Sequence, residues 1–383
     1  MKSDLFPALD DITFAAKNPE DIESGNIKRY ENLSTRSLAR GDPVRILLES
    51  ISLGFIELRS VIDYTGKMNL LAFSKGNFLP HLGILLGVTR LKASSALTTL
   101  KFTLSEPQGV NILIPQGTRA TPDGVIYFAT TEAAIIEAGQ TEIEVTAQCT
   151  VTGTQGNGYV KGQIKKLVDP FIYEMQVENT TESSGGSDIE NDENFRERIH
   201  LAPESFSVAG PSGAYRFFAI SANSNIIDVA VIGPHTEGVD FCPPGNVYLF
   251  PLMTGGKIPS QEILDKVFEI CDGTYTRPDS DYLHVEAPEI INYDLDVVYY
   301  IDRQRATQAA QIQSAVNTAV NEWILWQKSK LGRDINPSEL MHRVINAGAK
   351  RAVINSPVFT VLNQWHVAQE NLINITFGGL EDG

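Results

Sequence analysis

A few groups of residues in this chain have types and spacing that could do chemistry. Asp188, Glu190 and Asp192 stand two residues apart, like the opening of a calcium loop. Such a loop also needs glycine at its sixth position for a sharp turn and glutamate at its twelfth as a bidentate ligand. Counted from Asp188, those positions hold Glu193 and Ile199, so the match fails. The run reads instead as a helix start whose carboxylates complement the helix dipole. Gly153, Gly156 and Gly158 are placed as a phosphate-cradling loop would place them, but no Lys-Ser/Thr follows and no helix is expected there. They fit a tight turn at the edge of a β-domain. The six histidines (His81, His200, His235, His284, His342 and His366) show no HExxH spacing and no zinc framework. Ser212, in Gly210-Pro211-Ser212-Gly213, is not the serine of a GxSxG elbow. Paired carboxylates are too common in a chain this acidic to mark a glycosidase. The expectation is therefore no catalytic residue, no metal and no cofactor.

The formal net charge is −16. A protein that tracks phosphates needs a basic stripe, and none is present, so neither nucleic acid nor an anionic membrane surface is an expected partner. The acidic surface keeps a free subunit soluble or meets basic patches on partner proteins. No apolar run near the N-terminus has the length of a signal peptide. No window reaches the ~20 apolar residues that span a bilayer. Synthesis and folding in the cytoplasm are expected. Cys149, Cys242 and Cys271 are odd in number and far apart, which reads as reduced, mostly buried thiols.

The 383 residues exceed one ordinary core. The expected fold class is α+β multidomain: an N-terminal helical segment, a β-sandwich-like domain, then two α+β domains. Residues 1–41 read as an extended arm, with scattered apolar residues that would pack on a neighbour. Residues 42–92 form a helical segment. Asp42 and Pro43 start its main helix, and Val44, Leu47, Leu48, Ile51, Phe55, Leu58, Val61 and Ile62 recur at three- and four-residue steps toward an end near Gly66. Too little chain accompanies this helix to cover it, which marks it as an assembly element. Residues 93–186 carry short alternating strands separated by Gly, Pro and Asp turns, as in a sandwich or small barrel. Gly185 and Gly186 read as a flexible boundary and a candidate hinge. Residues 187–288 alternate helices and strands: Asp192 caps a helix to about Leu201, and Ile263, Leu264, Val267 and Phe268 face inward from a helix capped by Ser260. Residues 289–383 repeat that style. They hold a long alternating strand over 290–300, a helix striped by Ile312, Val316, Val320, Trp323 and Ile324, and a helix opened by Asn336-Pro337 with Leu340, Val344 and Ile345 inward.

Three segments in order resemble one known family. They are Thr152-Gly153-Thr154-Gln155-Gly156-Asn157-Gly158, the run from Gly185-Gly186 through Arg196-Glu197-Arg198, and Ala209-Gly210-Pro211-Ser212-Gly213-Ala214-Tyr215. Together they resemble the baseplate J-like proteins of contractile phage tails and related injection particles. The resemblance implies a structural wedge subunit rather than an enzyme, made in the bacterial cytoplasm and assembled in the tail baseplate. It implies a dimer with a second copy, contacts to neighbouring wedges and other wedge proteins, and contacts to the tail hub and sheath-initiating proteins. It also implies an N-terminal helical bundle with a partner and C-terminal domains that close a six-fold ring. Candidate interface residues are Leu47, Ile51, Phe55, Leu58, Arg196, Arg198 and Trp326. The competing readings are a β-sandwich adhesion or receptor-binding module, and a cell-wall hydrolase of the tail.

Overall fold

The structure is a computed structural model that describes residues 5–207, 209–273 and 276–382. It divides into two compact units. One holds Met1–Arg90 with Asn191–His200; the other holds Leu91–Glu190 with Leu201–Gly383. The fold is mixed α+β and multidomain, with the helices of the first unit at the N-terminus.

The first unit is helical: α1 (Pro19–Ser34), α2 (Pro43–Met68), the short α3 (Leu79–Gly83) and α4 (Asp192–Leu201). Helix α1 lies within the stretch read as an extended arm. Asn18 accepts from the Glu20 amide, and Pro19 opens the helix with its φ already set. Only Ile27 is buried along its length, so no apolar stripe marks this helix in the sequence. Helix α2 begins as expected, with the Asp42 carboxylate accepting from Val44 N. At α4 the expected cap is one residue off. Asn191 Oδ1 accepts from Asn194 N at 2.9 Å. Asp192 instead reaches back to Gly76 N at 2.7 Å and to Arg90 at 2.6 Å, and Arg90 lies over the Phe195 ring at 4.8 Å. These contacts group α4 with the N-terminal helices, although the sequence reading placed it in the following α+β domain.

The second unit holds three cores in chain order. The first is built on β1 (Ser95–Leu104), β2 (Ile112–Ile114), β3 (Arg119–Thr121), β4 (Phe128–Thr130), β5 (Ala134–Ile136), β6 (Glu142–Thr152), β7 (Lys166–Leu167) and β8 (Met175–Asn179). Six of these strands form one sheet in the order β7-β3-β4-β6-β1-β8, and β2 pairs with β5. Strands β7 and β8 at the two ends approach each other, so the sheet is a nearly closed barrel rather than two face-packed layers. Strand β1 alternates strictly, with Ala96, Leu100, Phe102 and Leu104 turned into the core. Asn179 closes a loop by donating to the Tyr159, Val160 and Thr181 carbonyls.

The second core comprises α5 (Ser212–Ser221), β9 (Ile226–Ile232), β10 (Asn246–Met253), α6 (Gln261–Cys271) and β11 (Tyr282–Val285). The sheet order is β11-β10-β9; β10 runs antiparallel to β9 and parallel to β11. Ile263, Leu264 and Val267 of α6 are buried, whereas Phe268, expected inward, is exposed. It follows Val267 by one residue, about 100° around the helix and off the buried stripe.

The third core comprises β12 (Glu289–Asp302), α7 (Ala309–Gln327), α8 (Pro337–Asn346), β13 (Arg351–Ser356) and β14 (His366–Glu381). Its sheet order is β13-β12-β14, with β12 antiparallel to β13 and parallel to β14. Trp323 is fully buried at the centre and meets Tyr293 edge-on at 5.7 Å. Asn336 caps α8 through the Ser338 amide as expected. Leu340 and Val344 are buried, but Ile345 is exposed, one step off that face.

Candidate assembly surfaces

Helix α2 has its polarity reversed. Its buried residues are Ser52, Asp63 and Met68, with Ser52 and Asp63 only 1% and 2% exposed. Leu47, Ile51, Phe55 and Leu58 are all exposed, along with Ile46, Leu53, Val61 and Ile62. The covered face is held by polar contacts. Asn26 donates to Ser52 Oγ at 2.9 Å. Asp63 accepts from Lys17 Nζ at 2.8 Å and from Phe14 N at 2.9 Å, and the Lys17 hydrogen bond is the leading cause that holds its carboxyl below the usual carboxylate range. The Phe14 ring lies against Gly66, where an added Cβ would sit 2.5 Å from it. A helix of 26 residues is about 39 Å long, so the uncovered apolar stripe runs the length of a small domain. Contiguous exposed apolar surface on this scale marks an interaction site.

Gly185 and Gly186 lie at the junction of the barrel and the second core. Gly185 has φ +84°, and its carbonyl accepts from Ser94 Oγ and Asn223 Nδ2. Gly186 exchanges hydrogen bonds with Asn157, its N–H donating at 2.9 Å and its carbonyl accepting at 2.8 Å. Asn225 donates to the same carbonyl at 3.1 Å. A Cβ at Gly186 would stand 2.4 Å from the Gly153 carbonyl oxygen. Thr154, Asn157, Glu182, Asn225, Lys257 and Ser260 line a cleft of about 600 Å³ beside this junction. Ser184 Oγ in its wall links the two cores by side chains, to Ser260 Oγ at 2.8 Å and to Glu262 Oε2 at 3.2 Å. The three glycines of 153–158 serve this junction. Gly156 packs against Cys149 and Ala96, and the Asp188 carboxylate lies against Gly153 and accepts from Thr154 N at 3.3 Å.

The second and third cores are joined by a contact that the sequence did not signal. Asp228 on β9 is 4% exposed. Its Oδ1 pairs with Arg216 at 2.8 Å, and its Oδ2 accepts the Leu331 amide at 2.9 Å. Around it Ile232, Cys242, Phe250 and Leu252 pack with Leu331 and Val367. Gln369 also donates to the Gly256 carbonyl at 2.6 Å. Trp326 is half-buried nearby, at the edge of the α7 stripe, with the Arg333 guanidinium over its ring at 4.0 Å and Arg343 at 5.2 Å.

Arg196 and Arg198 do not offer a surface. They are 3% and 5% exposed. Arg196 donates to the Leu71 and Ser74 carbonyls and pairs with Glu193 at 2.5 Å; Arg198 donates to the Thr89 carbonyl at 3.2 Å. Their alternation with acidic residues resembles a solvated helix face in the sequence, whereas the guanidiniums are turned onto backbone carbonyls. Cys149, Cys242 and Cys271 are free and buried as expected, and burial pushes the Cys271 thiol up to about 12. Among the described residues, no group of His, Cys, Asp and Glu could hold a metal ion, and no helix is long and apolar enough to cross a membrane.

Family models match the three cores in order. Residues 99–186 match the baseplate J-like protein barrel domain, residues 207–287 the baseplate J-like central domain, and residues 295–376 the baseplate J-like protein C-terminal domain. The chain is 26% identical over 195 residues to baseplate protein J of Escherichia phage P2; the match covers 51% of this chain and 61% of that protein. Among solved structures, a chain of the anti-feeding prophage baseplate superposes with a TM-score of 0.37 at 11% identity, covering 92% of this chain and 90% of the other, a likeness too slight to carry an argument. With three successive domains matched, the chain belongs to the baseplate J-like protein family.

Proposed function

We propose that this chain is a structural, non-catalytic wedge subunit of the baseplate of a contractile tail or phage-tail-like injection particle. The observation that carries this reading is the uncovered apolar face of α2 on a chain whose three following domains match the baseplate J-like barrel, central and C-terminal domains. In this role α2 joins a helical bundle with a partner wedge protein through Leu47, Ile51, Phe55 and Leu58. The domains of the second unit meet a second copy, neighbouring wedges and the components around the tail hub, and half-buried Trp326 is the side chain proposed to join such a contact. The work done is mechanical. Interfaces hold a ring and then exchange partners when the sheath contracts, which requires rigid bodies joined at defined boundaries. Gly185–Gly186 is the boundary where that movement is proposed, and it would have to break the hydrogen bonds from Ser94, Asn157, Asn223 and Asn225.

Deleting the gene in the producing strain tests the reading. Negative-stain electron microscopy of induced lysates should show loss of sheathed tails with baseplates, and their return on complementation. Intact contractile particles from the deletion strain would sink it, and would favour the adhesion module instead.

A further inference from the structure

Among the described residues, the third core leaves a long strand edge unpaired. Strand β14 lies at the end of the order β13-β12-β14 and runs for 16 residues. Natural edges are usually short, or guarded by lysine, proline or inward charge, because their free N–H and C=O groups template pairing. From Asn371 to Leu380 this edge contains no charged residue and no proline. Register shifts against β12, between Tyr293 and Leu295 and between Tyr299 and Ile301, set off Ile373–Phe377 as a regular stretch. Leu372 is 65% exposed and Ile373 49%, while Ile375 packs on the core.

That stretch is symmetric about Ile375. Ile373 and Phe377 are apolar at equal distance from it, and Asn374 and Thr376 are polar. Ile373, Ile375 and Phe377 pair in register with Leu295, Val297 and Tyr299, all buried, so the apolar set shares the core side. Consider two copies paired antiparallel about a two-fold axis at Ile375. Ile373 then faces Phe377 twice, Asn374 faces Thr376 twice, and the apolar layer continues across the axis. Carried further, the register sets Glu370 opposite Leu380 and Glu381 opposite Gln369, so no like charges meet. For a chain of charge −16, a register that opposes no carboxylates avoids adding local repulsion to that net charge. A two-fold contact must be self-complementary, and this segment is.

We propose that β14 is a self-pairing edge, through which a second copy of this chain adds its own β14 antiparallel over Ile373–Phe377. The proposal rests on the assembly role above, and names the surface where two copies meet.

The test uses the full-length chain. Asn374→Cys and Thr376→Cys chains, mixed and gently oxidised, should form a disulfide dimer far faster than either chain alone, since directly opposed Cβ atoms lie about 4.5–5.5 Å apart and the native cysteines are buried. In sedimentation velocity the wild type should self-associate. Ile373→Lys with Phe377→Lys, which opposes like charges twice, should weaken this by about tenfold or more. Ile373→Lys with Phe377→Glu should restore it. A wild-type chain that stays monomeric across its soluble range, or cross-linking no faster in the mixture, overturns the proposal. The deletion strain separates this failure from that of the assembly role. Lost baseplates that the double-lysine chain fully restores refute the pairing alone, whereas baseplates that survive the deletion refute the assembly role whatever the strands do.

Discussion

Gly186→Ala should destabilise the second unit markedly for a change of one methyl group. The added Cβ would meet the Gly153 carbonyl oxygen at 2.4 Å, Asn157 Oδ1 at 2.9 Å and the Ala96 backbone nitrogen at 3.0 Å. Two of the three are backbone atoms held in hydrogen-bonded structure, since Gly153 N donates to Ser94 O at 2.9 Å. They cannot swing aside as a side-chain tip would. Overpacking of this kind costs about 1–3 kcal/mol. The shift also strains the two-way Asn157 exchange, whose loss adds about 1 kcal/mol. For a body of this size, 2–4 kcal/mol lowers the melting temperature by roughly 4–16 °C. Gly54→Ala is the internal comparison. Gly54 lies inside α2 with nothing within 4 Å of its added Cβ, so alanine should stabilise by about 0.5–1 kcal/mol through helix propensity. Differential scanning calorimetry of both variants reads the contrast. If Gly186→Ala melts with or above the wild type, the junction is not packed as described, and the boundary is a loose linker.

Other perturbations act at separate places. Asp228→Ala should leave the Leu331 amide and Arg216 without their shared partner and cost about 2–4 kcal/mol, read as a lower urea midpoint. Asp63 has a folded-state pKa held below its ordinary value of about 3.9, so its contribution is present above that value and is lost as pH falls through the folded pKa. Unfolding midpoints measured down the acid range should therefore fall less steeply in Asp63→Asn than in the wild type, and an identical slope would show that the Lys17 contact does not matter. Leu47→Glu with Leu58→Glu should leave the fold and melting temperature nearly unchanged, because both side chains are exposed, yet abolish baseplate assembly in complementation. Normal particles from that variant would show that the α2 face is not a docking surface.

Much of the fold was legible where local chemistry and periodicity agreed. Asp42-Pro43 marks the start of α2, Asn336-Pro337 that of α8, and the alternation of 290–300 lies within β12. Helix α1 was not legible, because it is held by a cap and polar contacts rather than by an apolar stripe. The full length of β14 was also hidden. Its first residues, His366 to Glu370, are strand because Glu289–Tyr293 of β12 pairs with them in parallel, a partnership set by residues more than seventy positions away. The same holds for α4, fixed by Arg90 and Asp192 at a separation of 102. For the candidate surfaces, the stripe Leu47, Ile51, Phe55 and Leu58 was readable, since an amphipathic helix with too little chain to cover it shows in sequence. Arg196 and Arg198 were misread because their acceptors are backbone carbonyls of distant loops. Asp228 carries no local signal at all.

The most direct test of the baseplate role is location. An epitope-tagged chain that complements the deletion can be followed with antibody–gold on purified particles. The account predicts gold confined to the baseplate end of sheathed tails, retained before and after contraction. Gold along the fibres or the sheath, or tagged chain found only free in the supernatant, would contradict it.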